Sequence, residues 1–127
     1  MTHSIEPRIL VVDDDCNAAA ALADLLREEG YAIQVAHRGN EALVLEKTFH
    51  PDLLITDMHM PVMSGVELLR ALRRDHRSVP AILMTTDGSD AARRRAHDLG
   101  ASDILDKPLV LCDMLASIQR ALTASTK

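Results

Sequence analysis

Ile9-Leu10-Val11-Val12-Asp13-Asp14-Asp15 is the stretch on which the fold turns. Four apolar, β-favouring residues stop abruptly at three acids. A short apolar run bounded this way suits a strand of a parallel sheet, buried on both faces. An alternating apolar and polar pattern, as in a half-exposed antiparallel strand, is absent from it.

Outward from this run, strand and helix signals alternate. Asn17 can cap a first helix through Leu22, Leu25 and Leu26 to Glu29, which Gly30 ends. Tyr31 to Ala36 reads as strand two. Gly39 to Phe49 reads as helix two, with an imperfect stripe of Ala42, Leu43 and Leu45, and His50-Pro51 breaks it. Asp52 to Asp57 is strand three, again ending in an acid. Met58 to Gly65 is a Pro-containing loop, and Val66 to about Arg74 is helix three. Val79 to Thr85 is strand four, where Pro80 is tolerable only at the start. Asp87-Gly88-Ser89 opens helix four, which runs to Leu99 and stops at Gly100. Ser102 to Asp106 is strand five. After Lys107-Pro108, Leu111, Leu115, Ile118 and Leu122 recur at helical steps, and Thr123 to Lys127 reads as a fraying tail. The sum is (βα)₅: an α/β fold with an open, doubly wound five-stranded parallel sheet and helices on both faces. Five units are too few for a closed barrel.

Composition narrows the classes. The 127 residues carry a net charge of −5 and are 47% apolar, which predicts one domain over 1–127 with a full core over about 8–122. No apolar run approaches ~18 residues, so no membrane span is expected. No basic region followed by an apolar stretch opens the chain, so no export signal is expected. Cys16 and Cys112 make no metal or disulfide pattern, which fits a reducing, cytoplasmic setting. The acidic balance argues against direct nucleic-acid binding.

In a parallel sheet the C-terminal ends of all strands share one edge, where open α/β sheets bind ligands. Asp13 and Asp14 end strand one, Asp57 ends strand three, Thr85 ends strand four and Lys107 follows strand five. Taken singly, each has a plain explanation: Asp as a loop starter, Thr as a β-former, Lys as a solvated charge. Taken together on one edge, they make a site. Clustered carboxylates need a cation. Mg²⁺ fits best, since it takes oxygen ligands at ~2.0–2.1 Å and no thiolate or imidazole cluster favours a softer ion. Carboxylate, Mg²⁺, ammonium and hydroxyl together suit phosphoryl transfer to a carboxylate. Asp15 is read as structural, starting the loop or capping the first helix. Arg93-Arg94-Arg95 is read as a solvated face that can also meet an acidic partner or a second copy. His3, His37, His50, His76 and His97 show no ligand spacing.

Ile9 to Asp15, the segment Leu54-Ile55-Thr56-Asp57-Met58-His59-Met60-Pro61-Val62-Met63-Ser64-Gly65, Thr85 and the pair Lys107-Pro108 together resemble the receiver domains of bacterial two-component response regulators. The resemblance runs from Arg8 to about Leu122. It implies a flavodoxin-like strand order 2-1-3-4-5. It implies Asp57 as phosphoacceptor, supplied by a sensor histidine kinase or a histidine phosphotransfer protein, in a domain that catalyses its own phosphorylation and slow dephosphorylation. Asp14 would bind Mg²⁺ directly, Asp13 largely through water, and Asp57 and the backbone carbonyl of His59 would complete the protein's ligands. Lys107 would pair with Asp57 and then with a phosphoryl oxygen, and Thr85 would turn inward to the phosphoryl group. Lys107-Pro108 would be a candidate cis bond. The first helix resembles the kinase-docking helix, and output would pass through helix four, strand five and helix five to a downstream protein, a missing effector domain or a homodimer partner.

Two positions depart from the commonest pattern of that family, and two more fall where the family varies. Ile104 stands where an aromatic is usual, Thr86 stands where a small residue is usual, and His59 and Asp87 fall at two variable positions expected to tune hydrolysis of the phosphoryl group. No output domain is expected within the chain, which reads as a stand-alone receiver or as the receiver of a longer regulator or hybrid kinase. Two rival readings are a metal-dependent small-molecule phosphohydrolase and a non-phosphorylated interaction module. The hydrolase would want an Asp two residues past Asp57, where His59 stands. The silent module is opposed by the intact Asp13, Asp14, Asp57, Thr85 and Lys107.

Overall fold

The computed structural model describes residues 6–86 and 88–124. Ten elements alternate along it: β1 (Arg8–Val12), α1 (Cys16–Glu28), β2 (Ala32–Ala36), α2 (Gly39–Phe49), β3 (Leu53–Asp57), α3 (Gly65–Arg74), β4 (Ala81–Thr85), α4 (Asp90–Asp98), β5 (Asp103–Asp106) and α5 (Leu111–Ala124). All strand pairings are parallel, in the order β2-β1-β3-β4-β5. Both the (βα)₅ reading and the flavodoxin-like order hold. Among the described residues, no helix is long and apolar enough to cross a membrane.

The central strands are apolar because both faces are covered. Every residue of β3 and β4 is buried, and so are Ile9 to Val12 of β1. Successive side chains point to opposite faces. Ile9, Val11, Leu53, Ile55, Ile82 and Met84 therefore pack with Leu22 and Leu26 of α1 and Met114 and Ile118 of α5. Leu10, Val12 and Leu54 pack on the other side with Ala42 of α2 and Leu68, Leu69 and Leu72 of α3. Burying one such side chain stabilises the fold by about 1.5–3 kcal/mol. The edge strands β2 and β5 are only partly buried.

Several local expectations are corrected. The cap of α1 is Asp15, not Asn17: its carboxylate accepts the Asn17 and Ala18 N–H groups at 3.1 Å each, so the helix starts at Cys16. The weak stripe of α2 has a cause, since the position one turn after Ala42 is filled by a buried acid, Glu46. Arg77 Nε lies 3.2 Å from Glu46 Oε1. The pair is an ion contact, off the line a hydrogen bond needs. Thr123 and Ala124 continue α5 rather than fraying; residues 125–127 lie outside the described residues. The Lys107-Pro108 peptide bond is cis.

Candidate functional site

Sheet register assembles the site. Val12 pairs with Thr56, so the next residues, Asp13 and Asp57, emerge side by side. Strand order reverses between β1 and its neighbours, which opens a crevice at the carboxyl ends of β1 and β3. Asp57 pairs with Met84 and Thr85 with Asp106, which brings Thr85 and Lys107 to the same rim. Gly65 lets α3 begin tight against Asp57: a Cβ there would meet the Asp57 carbonyl and the Met58 Cα. Ser64 caps α3 in a reciprocal capping box with Glu67.

Asp13 is 3% exposed and Asp57 8%, whereas Asp14 faces solvent. Lys107 Nζ donates to Asp57 Oδ2 at 3.1 Å and to Asp13 Oδ2 at 3.4 Å. The Asp15 N–H donates to Asp13 Oδ1 at 3.0 Å, and the His59 N–H to Asp57 Oδ1 at 3.2 Å. Burial pushes the Asp13 carboxyl above its ordinary 3.8, against the Asp15 N–H and the Lys107 charge, and the Asp57 charge adds to the rise. Burial pulls the Lys107 ammonium down, but the hydrogen bond and charge of Asp57, with Asp13 behind them, outweigh it and hold it above 10.5.

Three carboxylates face one ammonium here. Carboxylate oxygens of Asp13, Asp14 and Asp57 lie within 4.8 Å of one another. An all-oxygen, acid-rich donor set with an excess of negative charge fits a hard divalent cation such as Mg²⁺ and suits Zn²⁺ or Cu²⁺ poorly.

The structure thus brings together Asp13, Asp14, Asp57, His59, Thr85 and Lys107. Thr86 is exposed beside Thr85, while Ile104 turns into the apolar cluster of Met58, Val66, Leu83 and Ala96. Asp87 lies outside the described residues.

Sequence reasoning missed three contacts. His37, at the end of β2, holds the Asp13 carbonyl through Nδ1 at 3.1 Å; its place one residue past a neighbouring strand was the available signal. The His59 ring places Nε2 3.2 Å from Thr85 Oγ1. Arg93 grips both carboxylate oxygens of Asp106 at 3.1 and 3.0 Å and donates to the Gly88 carbonyl at 3.3 Å.

Residues 9–119 match the response regulator receiver domain family. The response regulator MprA of Mycobacterium avium is 40% identical over 120 residues, which take in 94% of this chain and 52% of MprA. The chain thus spans about half the length of the curated relatives it matches. The chemotaxis protein CheY4 of Vibrio cholerae superposes with a TM-score of 0.88 at 30% identity, covering 93% of this chain and 100% of CheY4. The receiver domain of a signal transduction histidine kinase from Syntrophus aciditrophicus gives 0.83 at 32%, covering 93% and 91%.

Proposed function

The chain belongs to the response regulator receiver domain family, and from that premise we propose that Asp57 is the phosphoacceptor of a two-component signalling switch. The observation that carries this is the Asp57 carboxylate, 8% exposed at the rim, beside two further acids and bonded to Lys107. One oxygen of Asp57 attacks the phosphorus of a phosphohistidine on a kinase or phosphotransfer protein. The new O–P bond forms as the N–P bond breaks, and the imidazole leaves with a proton from solvent. Lys107, already shared between Asp57 and Asp13, moves its ammonium to a phosphoryl oxygen. Thr85 offers its hydroxyl to another. Asp13, Asp14, Asp57 and the His59 carbonyl would hold Mg²⁺, which would neutralise phosphoryl charge when bound.

Exposed Ala20, Ala21 and Leu25 on α1 support this helix as the docking face for the phosphodonor protein. Exposed Val110 and Leu111, next to the half-buried Ile104, Leu105 and Leu109, support output by contact through the α4–β5–α5 face, to a downstream protein, an effector domain or a second copy. Thr86, exposed beside Thr85, narrows access to the phosphoryl group, and Ile104 leaves signalling to α4 and the backbone. We read 1–127 as one receiver unit.

The test is acetyl phosphate with Mg²⁺, followed by intact-protein mass. A phosphoryl adduct is expected on the wild-type chain and none on Asp57→Asn. An adduct retained in Asp57→Asn overturns the assignment.

A further inference from the structure

Asp13 is held from β2 at both of its backbone groups. Val12 pairs with Ala36 at the end of the β1–β2 ladder, and the Asp13 N–H then donates to the Ala36 carbonyl at 3.1 Å. One residue further on, the His37 ring sets Nδ1 3.1 Å from the Asp13 carbonyl oxygen. A carbonyl oxygen only accepts, so Nδ1 carries the proton and the direction of this bond is fixed. His37 is half-buried, and its own N–H donates to Glu41 Oε1 at 2.8 Å. Glu41 lies in the first turn of α2, whose cap residue Arg38 makes no side-chain cap bond. The acid steadies instead the backbone that carries the ring.

The two acids at this strand end are held unequally. The Asp13 carboxylate accepts the Asp15 N–H and Lys107 Nζ. The Asp14 carboxylate is exposed and, among the described residues, has no hydrogen bond or ion pair of its own. An oxygen of Asp14 nevertheless lies within 4.8 Å of oxygens of Asp13 and Asp57. What places it is its backbone, and the peptide that joins it to Asp13 is the one whose oxygen His37 grips.

We propose that His37 is a positioning residue for the metal: by fixing the Asp13–Asp14 peptide it keeps the Asp14 carboxylate within reach of a cation shared with Asp13 and Asp57. The proposal rests on the reading of these acids as the Mg²⁺ site of a phosphoacceptor. His37 acts through the backbone and is not itself a ligand. Mg²⁺ demands near-octahedral geometry at ~2.0–2.1 Å and tolerates a wandering ligand poorly. A ligand already in place loses less freedom when the ion arrives. Groups that hold ligands in place accordingly change metal affinity by about 10–100-fold.

The test is calorimetric titration of wild type, His37→Leu and His37→Asn with Mg²⁺, at about pH 8, where an ordinary imidazole is neutral. The Asn amide nitrogen hangs from the γ-carbon, as Nδ1 does, and can donate to the same carbonyl; Leu cannot donate. Both variants remove the ring, so the difference between them reports the hydrogen bond. The temperature is kept below the metal-free unfolding transition of each protein, so that a folding defect is not read as lost affinity. His37→Leu is expected to bind Mg²⁺ about ten-fold more weakly, and to need correspondingly more Mg²⁺ for half-maximal labelling by acetyl phosphate. His37→Asn is expected to stay close to wild type. Wild-type affinity in His37→Leu, or equal weakening in both variants, overturns the proposal and leaves the Mg²⁺ site standing. If wild type itself binds no Mg²⁺, the reading of the acids falls and the positioning role falls with it.

Discussion

Lys107 Nζ stands 3.1 Å from Asp57 Oδ2, and the same ammonium is the counter-charge that reaches Asp13. Its side chain is 24% exposed and the two carboxylates less so, so the cluster is dry enough for the charge to matter. Replacing Lys107 with Gln leaves two nearly buried acids facing each other. The expected loss is about 2–4 kcal/mol in the absence of metal, seen as a lower unfolding midpoint, and Mg²⁺ restores more stability to the variant than it adds to wild type. Equal midpoints without metal would show the acids are screened by other means.

Mg²⁺ itself is expected to stabilise the wild-type chain by about 2.7 kcal/mol at a hundred times its Kd. Asp13→Asn should lose most of that gain. It should also raise metal-free stability at neutral pH, because burial holds the folded carboxyl above 3.8. A group raised this way contributes fully below its unfolded pKa and costs stability as pH climbs through the folded value. Calorimetry of both proteins with and without Mg²⁺ decides it.

Gly65→Ala would drive a methyl group into the Asp57 carbonyl and the Met58 Cα. Backbone cannot give way as a flexible side chain does, so a loss of about 1–3 kcal/mol is expected. The shifted Asp57 should take phosphoryl groups from acetyl phosphate more slowly than wild type, even at temperatures where the variant is fully folded. Unchanged labelling would mean that α3 tilts away without disturbing the acid.

Tyr31 is the chain's single tyrosine. Burial, aided by the Glu29 charge, raises its phenol above 10.0. Its unfolded form ionises first as pH rises, so this stability is whole below 10.0 and drains away as pH passes through the folded value. Phenolate absorbance should show a folded midpoint above that of the urea-unfolded chain. Coincident midpoints would contradict the burial.

Arg73 contributes through hydrogen bonds to backbone. Its guanidinium donates to the carbonyls of Leu99 at 3.0 Å, Arg77 at 2.8 Å and Val79 at 2.9 Å, which ties α3 to the loops before β4 and β5. Arg73→Ala is expected to cost about 2–4 kcal/mol. Arg73→Lys should recover less than half, because an ammonium cannot present the planar fork. Denaturant unfolding of the three proteins reads both numbers.

What could be read from the chain and what could not follow different physics. The runs Ile9–Val12 and Leu53–Ile55 announce a parallel core because apolar pattern is local, and the acids at their ends fall on one rim because topology puts them there. His59 against Thr85 was not legible, since it depends on the path of a loop and one side-chain rotamer. Glu46 was hidden for a related reason: its burial beside Arg77 joins residues from two distant turns, and a helical stripe reads an acid as exposed. Asp15 against Asn17 was a matter of two residues, where several side chains could all have capped the same helix.

Arg93 clasps Asp106 and the Gly88 carbonyl with one guanidinium, and Asp106 immediately precedes Lys107. The loop that follows Thr85 and the strand end that presents Lys107 are therefore geared to each other. A shift of the Gly88 carbonyl is expected to be carried through Arg93 to Asp106, the residue before Lys107. Cutting the clasp would leave chemistry and message running on separate shafts.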